Sequence, residues 1–346
     1  MAEPIRAEQN TALRARILSR RPLLYVDGAD DTLDRPAHVR AGSSIRWLGE
    51  RLVVIQDDAN FIAIIDPAGW SVTGVTLPAG PDGMRQFDDL RGNKHHKMDL
   101  EACVTVRTGA GELLIAFGSG SSAAREQIVL LRAAPGARYV HEVLDAGDLY
   151  LQLRGCTAFS GSELNIEGAV SLNGTIRLFN RGNGAPRGGT MPVDATCDLE
   201  WEALHAYLTT PDSPPPSPAN VVQYELGVLD GIRLTFTDSV RVRDRVLYTA
   251  AAEDSPDAVH DGEVVGSALG VFLSPHELQW TELRDRGGGR FTGKIEGICE
   301  SRIRRDLFYV VVDVDDPRVP TELCEVQLTG LPGTADGPSL AFPCDS

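Results

Sequence analysis

The stretch Met98–Glu126, MDLEACVTVRTGAGELLIAFGSGSSAARE, decides how the chain is read. It divides into two β-strands with chemistry at their outer ends. The first opens on Asp99 and Glu101 and runs through Val106. Thr108-Gly109-Ala110-Gly111 reverses the chain, and a second strand, Glu112 to Phe117, ends in Gly118-Ser119-Gly120-Ser121. In an antiparallel pair the start of one strand lies beside the end of the next. The acid cluster and the Gly/Ser loop are therefore expected at one end of the pair.

The same unit recurs. The loops after each second strand centre on Asp57, Ser119, Arg181, Glu253 and Asp315, which are 62, 62, 72 and 62 residues apart. First strands align at Ser43, Met98, Leu164, Thr235 and Gly293, each followed by a more apolar strand: RLVVIQ, ELLIAF, TIRLFN, RVLYTAAA and LFYVVVDV. Third strands follow at FIAIID, EQIVLLRA, VVQYELG, SALGVFL and TELCEVQL. Fourth strands are expected at SVTGVTL, YVHEVL, GIRLTF and LQWTEL. The fifth unit lacks a fourth strand after Gly330, and PLLYVD, Pro22 to Asp27, offers one from the other end of the chain. A fixed long period of short strands predicts an all-β fold, a single β-propeller of four-stranded blades. Five blades are favoured and six stay open.

Residues 1–21 read as an N-terminal tail, a short helix or a frayed end, and 22–346 as the propeller domain. An insertion over about 184–219 interrupts the third unit. It holds a predicted helix, CDLEWEALHAYL, capped by Asp198, and a stiff polyproline run, DSPPPSPAN. A second insertion, GPDGMRQFDDLRGNKHHK, separates units one and two.

The totals agree with a soluble all-β chain. It has 346 residues, 42% of them hydrophobic, with 35 Gly and 21 Pro that imply many turns. A net charge of −16 argues against nucleic acid as a partner, because phosphate binding needs clustered Lys and Arg. No stretch nears the roughly 20 apolar residues of a membrane span, and the N-terminus has no signal-like apolar core, so a cytoplasmic location is expected. Six cysteines without a C-x-x-C pair suggest neither zinc nor a disulfide framework.

The repeat gathers special residues on one rim. The first strands bring Lys97, Asp99, Glu101, Asn165, Glu167, Asp238, Lys294 and Glu296. The second-strand ends bring Asp57, Asp58, Ser119, Ser121, Arg181, Asn183, Glu253, Asp254, Asp313, Asp315 and Asp316. Asp and Asn are poor strand residues, so their recurrence here points to a site. Glu101, Glu167 and Glu296 share one frame, in DLEA, NIEG and KIEG. Carboxylates that close raise each other's pKa or demand a cation. Oxygen ligands suit calcium or magnesium. Lys97, Arg181 and Lys294 offer an internal neutraliser instead, and the choice stays open. Ser119 as a nucleophile would need His95, His96 or His260 as base, and no G-x-S-x-G elbow supports that.

The motifs DLEA, NIEG, AAEDSPDAVHDGEVVGSALG and KIEG resemble those of an uncharacterised family of bacterial β-propeller proteins, over roughly Ser43 to Leu328. More distantly, the chain is similar to esterase-like phytase propellers, which carry related D-x-E-[AG] motifs. That resemblance implies calcium and hydrolysis of an ester or phosphoester, with Glu101, Glu167, Glu253 and Glu296 as rim carboxylates and metal ligands. On this reading Glu101, Glu167 and Glu296 are catalytic, and Lys97, Ser119, Arg181 and Lys294 hold a small anionic substrate. The alternative is a non-catalytic propeller that binds a small molecule or a protein.

Overall fold

A computed structural model describes residues 3–136, 138–254 and 262–331. Five antiparallel meanders follow one another along the chain. The first comprises Gly42–Leu48, Arg51–Gln56, Phe61–Asp66 and Ser71–Thr76. The second comprises Leu100–Thr108, Gly111–Gly118, Gln127–Ala134 and Arg138–Asp145. The third runs through Ile166–Leu172, Thr175–Asn180, Asp194–Glu200 and Ala219–Glu225. The fourth is Ile232–Val242, Arg245–Asp254, Glu263–Ser274 and Glu277–Arg284. The fifth takes Lys294–Glu300, Leu307–Asp313 and Glu322–Thr329, and is completed by Arg14–Pro22 from the start of the chain.

The strands are apolar on both faces because each sheet is covered on both sides. The second strand of the first unit, RLVVIQ, buries all but its first residue. The buried side chains fall into five clusters, each lying between two successive units, and one joins the fifth unit back to the first. Each first strand also packs against the next around a closed ring. Sheets that radiate from a ring of innermost strands form a β-propeller.

Three sequence expectations change. The closing strand is Arg14–Pro22, not Pro22–Asp27, and residues 1–21 are not a tail. Leu13, Ala15 and Ile17 are buried, whereas Arg14 and Arg16 are exposed, a period of two that the density of arginine disguises. Ahead of them, Ile5–Arg6 pairs with the third unit and Glu8–Gln9 with the fourth, both in parallel. Leu24 and Tyr25 instead bridge to His38 and Val72, over the first unit.

Second, the expected insertion at about 184–219 contains the third strand of its unit, Asp194–Glu200. VVQYELG is then the fourth strand, and GIRLTF opens the fourth unit. The polar strand DATCDLE is tolerated because Arg177 on the neighbouring strand holds Asp198 at 2.7 Å. Third, the helix is Trp201–Thr209, capped by Glu200, whose carboxylate accepts from the Glu202 and Ala203 amides. Asp198 therefore sits in the strand and caps nothing. Two further helices, Gly147–Gly155 and Thr157–Ser160, fill the gap between units two and three. Among the described residues no helix is long and apolar enough to cross a membrane.

Candidate functional site

The first strands share a local irregularity that sequence pattern alone does not reveal. In each, one residue is extra relative to the second strand. The register skips Ser43, Glu101, Glu167, Thr237 and Glu296 in turn. Such a bulge re-aims a side chain that an even pleat would send into the sheet. The three recurring glutamates thus occupy one structural position, with Ser43 and Thr237 in the other two units. The small residue after the glutamate has its own cause. A Cβ on Gly297 would stand 2.9 Å from the Ser44 Cα, and one on Gly168 2.8 Å from the Ser239 Oγ. Neighbouring inner strands approach too closely there for a side chain.

The bulged glutamates open into a pocket of about 210 Å³ at the mouth of the ring. Nine carboxyl groups line it, among them Asp57, Asp99, Glu101, Glu167, Glu296 and Asp315, against five cationic groups. Lys97, Arg181 and Lys294 are in the wall, as expected, with Asn165 and Asn183. The loop between units one and two adds Asp88, Asp89, Leu90 and Lys94. The pairing inferred for Met98–Glu126 holds: the Ser119 amide donates to the Asp99 carbonyl at 2.9 Å, and its hydroxyl bonds the Asp99 carboxylate.

One half of the pocket is organised around Lys97. Its ammonium bonds Asp57, reaches Asp99 at 2.7 Å and Asp58 at 3.0 Å. Burial alone would lower the Lys97 pKa, but Asp57, Asp99 and Asp58 outweigh it and hold the amine charged. Arg125 adds a bond of 3.0 Å to Asp99. Burial works against ionised Asp99, yet Lys97 and Arg125 prevail and keep its carboxyl far below the usual range. Asp57 is driven the other way, well up, by burial, with Lys97 opposing and Asp58 and Asp99 reinforcing. Asp99 also takes a left-handed backbone, φ 57°, which aspartate tolerates better than most residues.

Glu101 stands apart. Among the described residues its carboxyl forms no hydrogen bond or ion pair. One of its oxygens lies within 4.8 Å of an oxygen of Asp57 and of one of Asp99. Burial first, then repulsion from Asp57, Glu167 and Asp99, pushes its pKa well up.

The other half alternates charge. Arg181 reaches Glu253 at 2.6 Å and Glu167 at 3.3 Å, and Lys294 holds Glu296 at 2.7 Å. Burial raises Glu167 against the pull of Arg181 and Lys294. It lifts Glu296 to about 8 although Lys294 opposes it. Glu253 is not in the wall; it braces Arg181 and Lys294 from behind.

Several expected rim residues lie elsewhere. Asp238 sits deeper, in a buried pair with Arg46 at 2.9 Å. Asp316 is tied to Arg318 on the surface, and Asp254 is exposed. His95 and His96 are exposed and stack on each other at 3.9 Å, and among the described residues no histidine lines the pocket. His260 falls outside the described residues. Sequence reasoning missed Asp88, Asp89, Leu90 and Lys94, which lie in the loop between units one and two, and Arg125, which belongs to a turn, Ala123–Arg125, with no counterpart among the described residues of the other units.

Solved structures with related folds include a glycosyl hydrolase from Bacteroides ovatus, at 9% identity and a TM-score of 0.44, covering 92% of this chain and 93% of that one. A second is an exo-β-1,3-galactanase, so described as putative, from Bifidobacterium bifidum, at 8% identity and TM-score 0.44, covering 93% and 98%. A third is the GH93 α-L-arabinofuranosidase of Fusarium graminearum, at 6% identity and TM-score 0.43, covering 90% and 98%. Likeness at this level carries no argument about activity. No curated protein matches the sequence. Residues 38–328, which span every bulged first strand and the whole pocket wall, match one family model, and the chain belongs to that family of unknown function, DUF6929.

Proposed function

We propose that the chain is a five-bladed propeller hydrolase, whose rim carboxyl groups cleave a small uncharged or cationic ester. One observation carries this reading: the unpartnered carboxyl of Glu101 faces the Asp57–Asp99 pair within 4.8 Å. Environments that push neighbouring carboxyls to opposite protonation states assign acid and base. Lys97 and Arg125 push Asp99 toward the ionised form, and burial with the neighbouring carboxylates pushes Glu101 toward the protonated one. The Asp57–Asp99 pair, carrying one proton and one negative charge, takes a proton from an attacking water. The new bond forms between the water oxygen and the ester carbon. Glu101 gives its proton to the departing alcohol oxygen, and the pair returns its own to Glu101 through solvent. Lys97 and Arg125 position Asp99.

The ester is preferred to a phosphoester because of charge. All five cationic groups in the wall, Lys94, Lys97, Arg125, Arg181 and Lys294, already form ion pairs with carboxylates, Lys294 with Glu253 behind the wall. Lys97, Ser119, Arg181 and Lys294 then order the wall and leave no clamp for an anionic group. The distant phytase likeness contributes only the rim glutamates, of which Glu167 and Glu296 would contact substrate beside Glu101.

The test compares p-nitrophenyl acetate with p-nitrophenyl phosphate. The acetate should turn over faster, and Glu101→Gln should lower kcat on the order of 100-fold while the melting temperature holds. Equal turnover by the variant would remove Glu101 from the reaction.

A second reading follows from the same three carboxyls. Oxygens this close suit Ca²⁺, with Asp57, Asp99 and Glu101 as ligands and Lys97 swung aside. The cation would polarise the ester carbonyl. It predicts that millimolar Ca²⁺ raises the melting temperature, that a chelator reverses the rise, and that Glu101→Gln abolishes it. No shift in the parent protein eliminates the metal and leaves the acid–base reading standing.

A further inference from the structure

The five first strands run through the ring in the same direction, so their ends line a second mouth opposite the acidic one. Between the two mouths Arg46 closes the channel. Its guanidinium bonds both Asp238 oxygens at 2.9 Å and the carbonyls of Ile298 and Ala169 at 2.9 and 3.2 Å. The far mouth is therefore a separate cavity, of about 510 Å³.

Its chemistry is the reverse of the rim pocket. Arg107, Arg241 and Arg302 line it, with Trp47 and Trp201 in the wall. Among the described residues none of these three arginines forms an ion pair with a carboxylate. Two are nonetheless fixed in place. Arg302 stacks on the Trp47 ring, 4.3 Å from its centroid, and donates to the Gly49 carbonyl at 2.6 Å. Arg241 donates to the carbonyls of Arg243 and Ser171, at 2.9 and 3.3 Å, and to Asn173 at 3.4 Å. Carbonyl acceptors orient a guanidinium without cancelling its charge. Two acids share the wall, and neither pairs with these arginines among the described residues: Glu112 accepts from the Gly49 amide at 2.6 Å, and Glu300 lies 3.7 Å from the Cys299 thiol. Trp47 is likewise set by its indole N–H on the Glu300 carbonyl at 2.8 Å. Oriented, un-neutralised arginines beside flat aromatic walls suit one ligand class, because guanidinium binds planar oxyanions and stacks on rings.

We propose that this mouth binds a small organic anion with a flat apolar body, the anion on Arg107, Arg241 and Arg302 and the body against Trp47 and Trp201. The site is independent of the rim reaction and stands if that reading falls.

The probe is 8-anilinonaphthalene-1-sulfonate, followed by its own fluorescence and by quenching of tryptophan. One equivalent should bind saturably, and 0.5 M NaCl should weaken binding by roughly tenfold or more. Arg107→Ala and Arg302→Ala should each weaken it about tenfold, and Arg107→Glu further. Arg107 has no partner among the described residues, so its variants should keep the parent's circular dichroism and melting temperature and remain informative if Arg302→Ala does not fold. Unchanged affinity in both Arg107 variants would overturn the proposal, as would binding that salt leaves alone; the dye would then lie on an apolar groove elsewhere.

Discussion

Glu296 shows how a single bulged residue couples the site to stability. Its carboxyl is lifted to about 8 by burial, against Lys294. The folded chain therefore keeps a proton that the unfolded chain releases near pH 4.5, the ordinary value. The contribution is complete below that value and is lost as pH climbs to about 8. Glu101 and Asp57 act in the same direction. The parent protein should accordingly lose melting temperature between pH 5 and pH 8.5, and Glu296→Gln should flatten that slope. An identical slope in the variant would mean that Glu296 ionises as freely as an exposed glutamate. Asp99 works oppositely, withdrawing its support only in strong acid.

The three glutamates were legible as a frame in DLEA, NIEG and KIEG. Their bulge was not, because an extra residue is defined only against a partner strand. Asp238 shows the cost of that gap. It is one residue past the bulge, faces inward below the rim, and pairs with Arg46 instead of joining the pocket. Arg125 left no trace at all, since no repeat places it.

At the scale of elements, the apolar second strands identify themselves, while polar strands need their neighbours. Asp194–Glu200 carries three acids in seven residues and reads as an insertion running into a helix until Arg177 is placed beside Asp198. Arg14–Pro22 reads as a basic tail until Leu13, Ala15 and Ile17 are seen to fill the core between units four and five. The same placement predicts its energetics. Ile17 is 1% exposed, so Ile17→Ala should cost about 2–5 kcal/mol. Urea unfolding measures it, and a loss under 1 kcal/mol would show that the strand is dispensable. Arg14→Ala, on the exposed side of the same strand, should stay within about 0.5 kcal/mol.

For the whole molecule, the 62-residue period in the sequence carried the ring, because each unit must repeat its path to pack against the next. What it did not carry is how the centre is filled. The inner strands leave a channel, and Arg46 with Asp238 closes it, joining four of the five units through carbonyls and side chains. A buried pair of this kind is costly to break singly. Asp238→Ala should destabilise by about 3–5 kcal/mol, whereas Arg46→Met with Asp238→Leu should recover much of the loss. If the double variant is no better than the single one, the carbonyl contacts of Arg46 outweigh its charge pairing.

The pairing of Arg14–Pro22 with Glu322–Thr329 also orders events during synthesis. Arg14–Pro22 waits for a strand made about 300 residues later. Until about 300 further residues have left the ribosome, an edge with an apolar face stays unclaimed, and it is a template for any other strand. Nascent chains on neighbouring ribosomes of one message present the same edge with the same register. Exchange of this strand between siblings is the assembly error to which the fold is most open, and slow synthesis of Glu322–Thr329 should raise the yield of such linked pairs.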